Sequence, residues 1–227
     1  MVIKAILFDI DNTLIDFMQM KRKSCEAAVD AMIGAGLKVK KEEVLKTLYE
    51  LYDKYGIEYQ QIFQKLLKKL EGKIDYKIIA SGVIAYRKVR EFYLVLYPDV
   101  IPILINLKKK YKLAVISDAP TLQAWTRLIT MKIDPFFDVV ITKGDVKKQK
   151  TYPTPFKVTL KKLKVKPEES LMLGDRIERD VNTAKKLGIK TCFARYGVEN
   201  PPKHGKSGAD FEINNFSEIL KVMEKLK

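Results

Sequence analysis

Cysteine is almost missing from this chain of 227 residues. Cys25 and Cys192 lie far apart, neither within a CxxC pair, which excludes a zinc ribbon or a disulfide framework and leaves both as small buried hydrophobes. Histidine is scarcer: the single one, His204, sits in the polar run PPKHGKSG with no ligand or catalytic partner beside it. Metal and triad sites need several convergent groups, so an exposed, inert His204 is expected. No run approaches eighteen consecutive apolar residues, and the opening stretch VIKAILF lacks the layout of a signal peptide, so a cytoplasmic protein without membrane contact is expected. Proline (9) and glycine (11) are sparse against 47% hydrophobic residues, which argues against extensive disorder. A chain of this length can fill one large domain, or a core plus a smaller insert.

What is abundant is positive charge, a formal +15. Clustered lysines can bind phosphate backbones through counterion release. Here, however, they are scattered through KVKKEEVLK, KLLKKLEGK and VTLKKLKVK, mixed with glutamate and spaced between apolar residues as on solvated helix faces. Nucleic acid is therefore not expected as a partner, while the positive field would speed small anionic substrates toward a cleft.

Two characters of sequence alternate along the chain. VIKAILF, residues 2–8, is a compact apolar strand ending at Asp9. From about residue 18 to 94 apolar residues recur at three and four, as in Val44, Leu48, Leu51 and Tyr55 or Ile62, Leu66, Leu67 and Leu70, which predicts about four helices. After Pro98 strands and helices alternate: a helix ending in LKKKY, the strand KLAVIS, a helix from Thr121, DVVIT, a helix from Pro153, SLMLGD, a helix over RDVNTAKKLG, and KTCFAR. That order predicts right-handed βαβ units. The fold expected is α/β, a Rossmann-like doubly wound parallel sheet with an inserted helical cap. Its core would comprise 1–16 and 95–227, and its cap 17–94.

In open parallel sheets ligands sit beyond the carboxyl ends of the strands, and the candidate chemistry falls there. Asp9 and Asp11 follow the first strand in FDIDNTLID; while the chain stays extended, residues two apart project to one side, and two carboxylates sharing a site imply a cation or a proton. KLAVIS ends at Ser117, followed by Asp118, where a hydroxyl and backbone amides could hold a phosphate oxygen. Lys150, in KKQKTYPTPF after DVVIT, could neutralise a nucleophile and a phosphate. Gly174 and Asp175 end SLMLGD, Asp175 placed to complete an oxygen site for Mg²⁺, and Asp180 follows at the next helix. Each has a plainer reading alone: solvated turn acids, a helix cap at Ser117, one surface lysine among Lys147, Lys148 and Lys150, a first-turn acid at Asp180. Their joint placement at strand ends decides for a site.

With these residues in order, the chain resembles the haloacid dehalogenase-like hydrolase superfamily. Its DxDxT motif matches Asp9-Ile10-Asp11-Asn12-Thr13, and its other motifs match Ser117, Lys150 and Asp175 with Asp180. The resemblance spans essentially the whole chain, and the helical insert looks like that superfamily's type 1 cap. It implies Asp9 as a nucleophile that becomes an aspartyl phosphate, and Asp11 as the acid and later the base. Phosphate would be held by Ser117 with Asp118 and the Asn12–Thr13 segment after Asp9. Lys150 would offset charge, Mg²⁺ would lie on Asp9, the Asp11 carbonyl and Asp175, and Asp180 would support that shell. An acid at Asp11 favours phosphate esters over halides, because a halide leaves without a proton. Two departures stand out: Thr151 occupies the usual proline position after the lysine, so Lys148 is an alternative to Lys150, and Arg176 stands where the family often has a small residue.

A magnesium-dependent phosphatase acting on a small phosphorylated metabolite, as a monomer or homodimer, is thus expected. A phosphomutase of the same superfamily and a basic nucleic-acid-binding or scaffold protein on a hydrolase fold are the alternatives. Phe17, Met18, Met20, Tyr59, Tyr86 and Trp125 are candidates to line a cleft, with core packing the plainer role.

Overall fold

The computed structural model describes residues 2–227. The first strand, β1 (Ala5–Phe8), is followed by four helices, α1 (Phe17–Gly34), α2 (Lys41–Tyr55), α3 (Ile62–Glu71) and α4 (Tyr76–Tyr93). The chain then continues as α5 (Val100–Lys108), β2 (Lys112–Ser117), α6 (Thr121–Thr130), β3 (Val139–Thr142), α7 (Lys143–Val146), α8 (Thr154–Leu163), β4 (Ser170–Gly174), α9 (Asn182–Lys186), β5 (Lys190–Ala194), β6 (Phe211–Ile213) and α10 (Ile219–Lys225). Two compact units result. One joins the stretch up to Asp16 with Leu96–Lys227, and the other is Phe17–Val95.

The first unit carries a six-stranded sheet in the order β3-β2-β1-β4-β5-β6, every pairing parallel. Its strands are near-continuous apolar runs, AILF in β1 being wholly buried, as parallel strands covered on both faces must be. Alternation then divides the side chains. Ala5, Leu7, Ala114, Ile116 and Met172 pack on one face with Phe156, Leu160 and Leu163 of α8, while Phe8, on the other face, meets the rings of Phe137 and Phe216. This is the doubly wound α/β architecture that the βαβ pattern predicts.

The helical unit is built from the three-and-four spacing. Val44, Leu48, Leu51, Ile62, Leu66 and Leu67 join Val29 and Met32 in one buried cluster. The Asp75 carboxylate caps α4 by accepting from the amides of Lys77 (2.9 Å) and Ile78 (3.3 Å). Gly72, at φ 72°, terminates α3 in the left-handed conformation that favours glycine. Phe17 and Met20 are buried, Tyr59 stacks on Tyr55 and Tyr86 stands edge-on to Phe63. Lys21 is buried as well, its ammonium 3.0 Å from the Tyr86 hydroxyl and 4.0 Å from the Tyr52 ring centre.

Four features depart from the expected pattern. The helix expected over RDVNTAKKLG opens instead with a wide turn, Ile177–Val181, in which the Asn182 amide bonds the Ile177 carbonyl five residues back; the Arg176 carbonyl accepts both from Val181, five residues on (3.4 Å), and from Asp180, four on (2.7 Å). The short helix α7 and the edge strand β6 were not expected. His204 is exposed yet has a partner, its Nδ1 lying 2.8 Å from Glu212. Among the described residues no helix is long and apolar enough to cross a membrane.

Candidate active site

From β1 the connections run outward through β2 and β3 on one side, and β4, β5 and β6 lie on the other. Phe8 registers with Val115 of β2 and Leu173 of β4, so three carboxyl ends lie side by side where the order reverses, the place where open α/β sheets bind ligands. Asp9 extends β1 by one step, its amide donating to the Leu173 carbonyl (3.0 Å). The chain then turns at once. The Ile10 carbonyl accepts from the amides of Leu14 (2.9 Å) and Ile15 (3.1 Å), and the Asn12 amide donates to the Ile15 carbonyl (2.8 Å). Asn12 takes φ 58°, a left-handed conformation that asparagine tolerates better than most side chains.

Asp9 and Asp11 were read as sharing one small site, and the turn that begins at Ile10 lies between them. The buried carboxylates brought within 4.8 Å of one another are those of Asp9, Asp175 and Asp180. Asp11 is held by α6, Arg127 Nη1 lying 2.8 Å from its Oδ2.

Lys150 is almost completely buried, 2.7 Å from Asp9 Oδ1 and 2.6 Å from Asp180 Oδ1. Of the two lysines left open by the sequence, Lys150 stands at Asp9, while the Lys148 ammonium lies over the Tyr152 ring at 4.7 Å. The Lys150 turn is fixed by Asp118, whose Oδ1 accepts from the Lys150 amide (2.8 Å) and whose Oδ2 accepts from Arg179 (3.2 Å). The Asp118 carboxylate is thus engaged in the lysine turn, so a part for this residue in holding phosphate would fall to its backbone amide. Ser117 is buried at the end of β2, its Oγ accepting from the Ala119 amide (3.1 Å).

Asp175 follows β4, with Asn12 Nδ2 at 3.5 Å from its Oδ2. Arg176 projects outward, its Nε 4.0 Å from Asp175 and its side chain 61% exposed. Asp180 is anchored by Oδ2, which accepts from the Arg176 amide (3.0 Å), so the wide helical turn is what brings this carboxylate under the end of β4. Gly174 makes room for it: a Cβ at that position would run into the Asp180 carboxyl group. Thr13 is fully buried, its carbonyl accepting from the Tyr196 hydroxyl (2.7 Å). Gly197 lies against the same loop, since a Cβ there would strike the Asn12 carbonyl. Neither Tyr196, Gly197 nor Arg127 was singled out in the sequence, where no spacing or motif marks them.

The electrostatics follow from burial. Burial lowers the proton affinity of Lys150, but the carboxylates of Asp180, Asp9 and Asp118 outweigh it and hold the ammonium above its ordinary pKa. Burial, with Asp9 and Asp180 nearby, raises Asp175 well above the carboxylate range against the opposing pull of Lys150. Asp180 is pushed up to about 6, by burial first, with Lys150 opposing and Asp9 adding to the rise. Three converging buried carboxylates outnumber the ammonium between them, and their donors are all oxygens. That set fits a hard divalent cation such as Mg²⁺ or Ca²⁺, which would relieve the repulsion.

The haloacid dehalogenase-like hydrolase family matches residues 6–194. The chain belongs to the haloacid dehalogenase-like hydrolases. This hydrolase is 36% identical over 227 residues to the glyceraldehyde 3-phosphate phosphatase of Methanocaldococcus jannaschii, with 100% of this chain and 99% of that protein covered. It is 36% identical over 226 residues to the protein of the same name from Methanothermobacter thermautotrophicus, covering 98% and 100%. Among solved structures, it is similar to a phosphatase of the same superfamily from Thermococcus onnurineus, with a TM-score of 0.72 at 26% identity over 97% of this chain and 98% of that one.

Proposed function

We propose that this hydrolase is a magnesium-dependent phosphatase of small phosphate monoesters, with glyceraldehyde 3-phosphate the first substrate to test, working through an aspartyl phosphate on Asp9. The observation that carries the reading is the buried Lys150, placed between Asp9 and Asp180 beside Asp175. An ammonium against the nucleophile offsets the charge that an incoming phosphate would otherwise meet.

Asp9 and Asp175 would hold the Mg²⁺ together with the Asp11 carbonyl, and Asp180 would orient the set; when bound, the ion offsets negative charge on the transferring phosphoryl group. Ser117 and the backbone of the Asn12–Thr13 turn would receive the phosphate oxygens. An Asp9 oxygen forms a bond to phosphorus as the ester P–O bond breaks, and Asp11 gives its proton to the departing oxygen. Asp11 then takes a proton from water as that water attacks phosphorus, and breaking of the P–O bond to Asp9 restores the carboxylate. Covalent catalysis thereby splits one difficult displacement into two.

Water, not a second sugar hydroxyl, is the acceptor in this reading, because the relatives at 36% identity are named phosphatases. A phosphomutase would return the group to its substrate. The scaffold alternative gives no account of why a buried lysine and three buried carboxylates should converge at the switch point, since an inert surface has no use for so costly a cluster. The test is phosphate release from glyceraldehyde 3-phosphate, other sugar phosphates, nucleotides and small phosphorylated acids, in Mg²⁺ and in EDTA. Release with Mg²⁺, its loss in EDTA, and an inactive but folded Asp9→Asn variant are expected. Undiminished turnover by Asp9→Asn would refute the nucleophile.

A further inference from the structure

We propose that Arg127 is the positioning residue for Asp11, fixing the acid–base carboxylate so that both proton transfers can occur; this rests on the phosphatase reading above. Arg127 lies on α6 in the same buried face as Ala124 and Leu128, whereas Leu122 and Ile129 of that helix are exposed. A guanidinium at a core-facing helix position is costly unless it is paired and hydrogen-bonded. One partner comes from 116 residues away: Nη1 reaches Asp11 Oδ2 at 2.8 Å. Arg127 is the more deeply buried of the two, its side chain 7% exposed against 23% for Asp11. The arginine is therefore enclosed by the fold, and the aspartate rests on it from the more open side.

The anchor is rigid for a second reason. Helix α6 grows from the turn that begins at Ser117, where the Ala119 amide donates to the Ser117 hydroxyl. The helix bearing Arg127 and the residue proposed to receive phosphate are thus parts of one short, continuous segment. Arginine keeps its charge throughout the working pH range, so the contact does not come and go with pH. Holding one carboxylate oxygen restricts rotation about the Asp11 side chain, which is what a proton donor and acceptor to the leaving oxygen and to water requires. A misplacement of about 1 Å at such a group costs about 100-fold in rate.

Arg127→Met is expected to lower kcat for an alkyl phosphate by about 10- to 100-fold with little change in KM. With an activated aryl phosphate, whose leaving group needs no proton, the first step should survive and the second stall, giving a burst of phenol equal to the enzyme and a phosphorylated Asp9. A merely structural defect would shrink the burst in proportion to the folded fraction. In the Asp11→Asn background the Arg127→Met change should add no further loss, since residues acting through one group are not additive. Arg127→Lys, which preserves a buried cation, carries the same cycle if the methionine variant lacks a cooperative thermal transition. Wild-type kcat in Arg127→Met, or losses that multiply in the double variant, would overturn the assignment. Asp9→Asn run alongside separates the two claims: its inactivity keeps the phosphatase reading standing even where the Arg127 proposal fails.

Discussion

Replacing Lys150 by methionine keeps most of the aliphatic volume and removes the ammonium from between Asp9 and Asp180, 2.7 and 2.6 Å away. Breaking a buried ion pair from one side costs about 3–5 kcal/mol, and for a chain of this size each kcal/mol moves Tm by about 2–4 °C. Without metal at neutral pH the variant should therefore melt about 6–20 °C below the wild type. Protonation limits the loss. Asp180 is pushed up to about 6 even with Lys150 opposing, and without that lysine it rises further. Folded protein then binds more protons than the unfolded chain above the ordinary carboxylate pKa, so stability falls as pH rises through that window. The deficit should be largest near pH 7.5, smaller near pH 5.5, and reduced by Mg²⁺, which replaces the lost positive charge. Thermal denaturation followed by circular dichroism at both pH values, in EDTA and in Mg²⁺, measures all of this. Lys148→Met is the control: that ammonium lies over the Tyr152 ring, a contact of about 0.5–1 kcal/mol at an exposed site. A Lys150→Met deficit no larger than that of Lys148→Met, or one independent of pH, would refute the reasoning.

Mg²⁺ should raise the wild-type Tm more at neutral pH than near pH 5, because Asp175 and Asp180, both held above the usual carboxylate range, must shed protons before they can serve a cation; a shift of equal size at both, measured by scanning fluorimetry, would count against the cluster as the metal site. Gly174→Ala should displace the Asp180 carboxyl group that a Cβ would strike, lowering stability by about 1–3 kcal/mol and activity with it. Chemical denaturation together with phosphate release reads both effects, and a fully active, equally stable variant would contradict the packing described.

The sheet could be read from the sequence where burial on both faces makes a strand continuously apolar, as in AILF, KLAVIS and SLMLG. β6 could not, because its run FEI is short and its central residue, Glu212, is spent on holding the preceding loop through Ser207, Gly205 and Arg195. Lys150 was legible by position alone, and only its burial against Asp9 separates it from Lys148. That the Asp118 carboxylate ties down the lysine turn was not legible, because one-dimensional order cannot show which backbone amide a carboxylate will meet. Arg127 was illegible for a related reason. A single arginine in a helix looks like part of a solvated face until its partner, more than a hundred positions earlier, is brought against it.

The central claim is that Asp9 takes the phosphoryl group. Wild-type protein mixed with substrate and Mg²⁺, quenched in acid within a turnover and mapped by mass spectrometry, should carry one phosphoryl group on the peptide containing Asp9, and Asp9→Asn should carry none. Full turnover with no adduct at any quench time, or an adduct on another residue, would contradict the account.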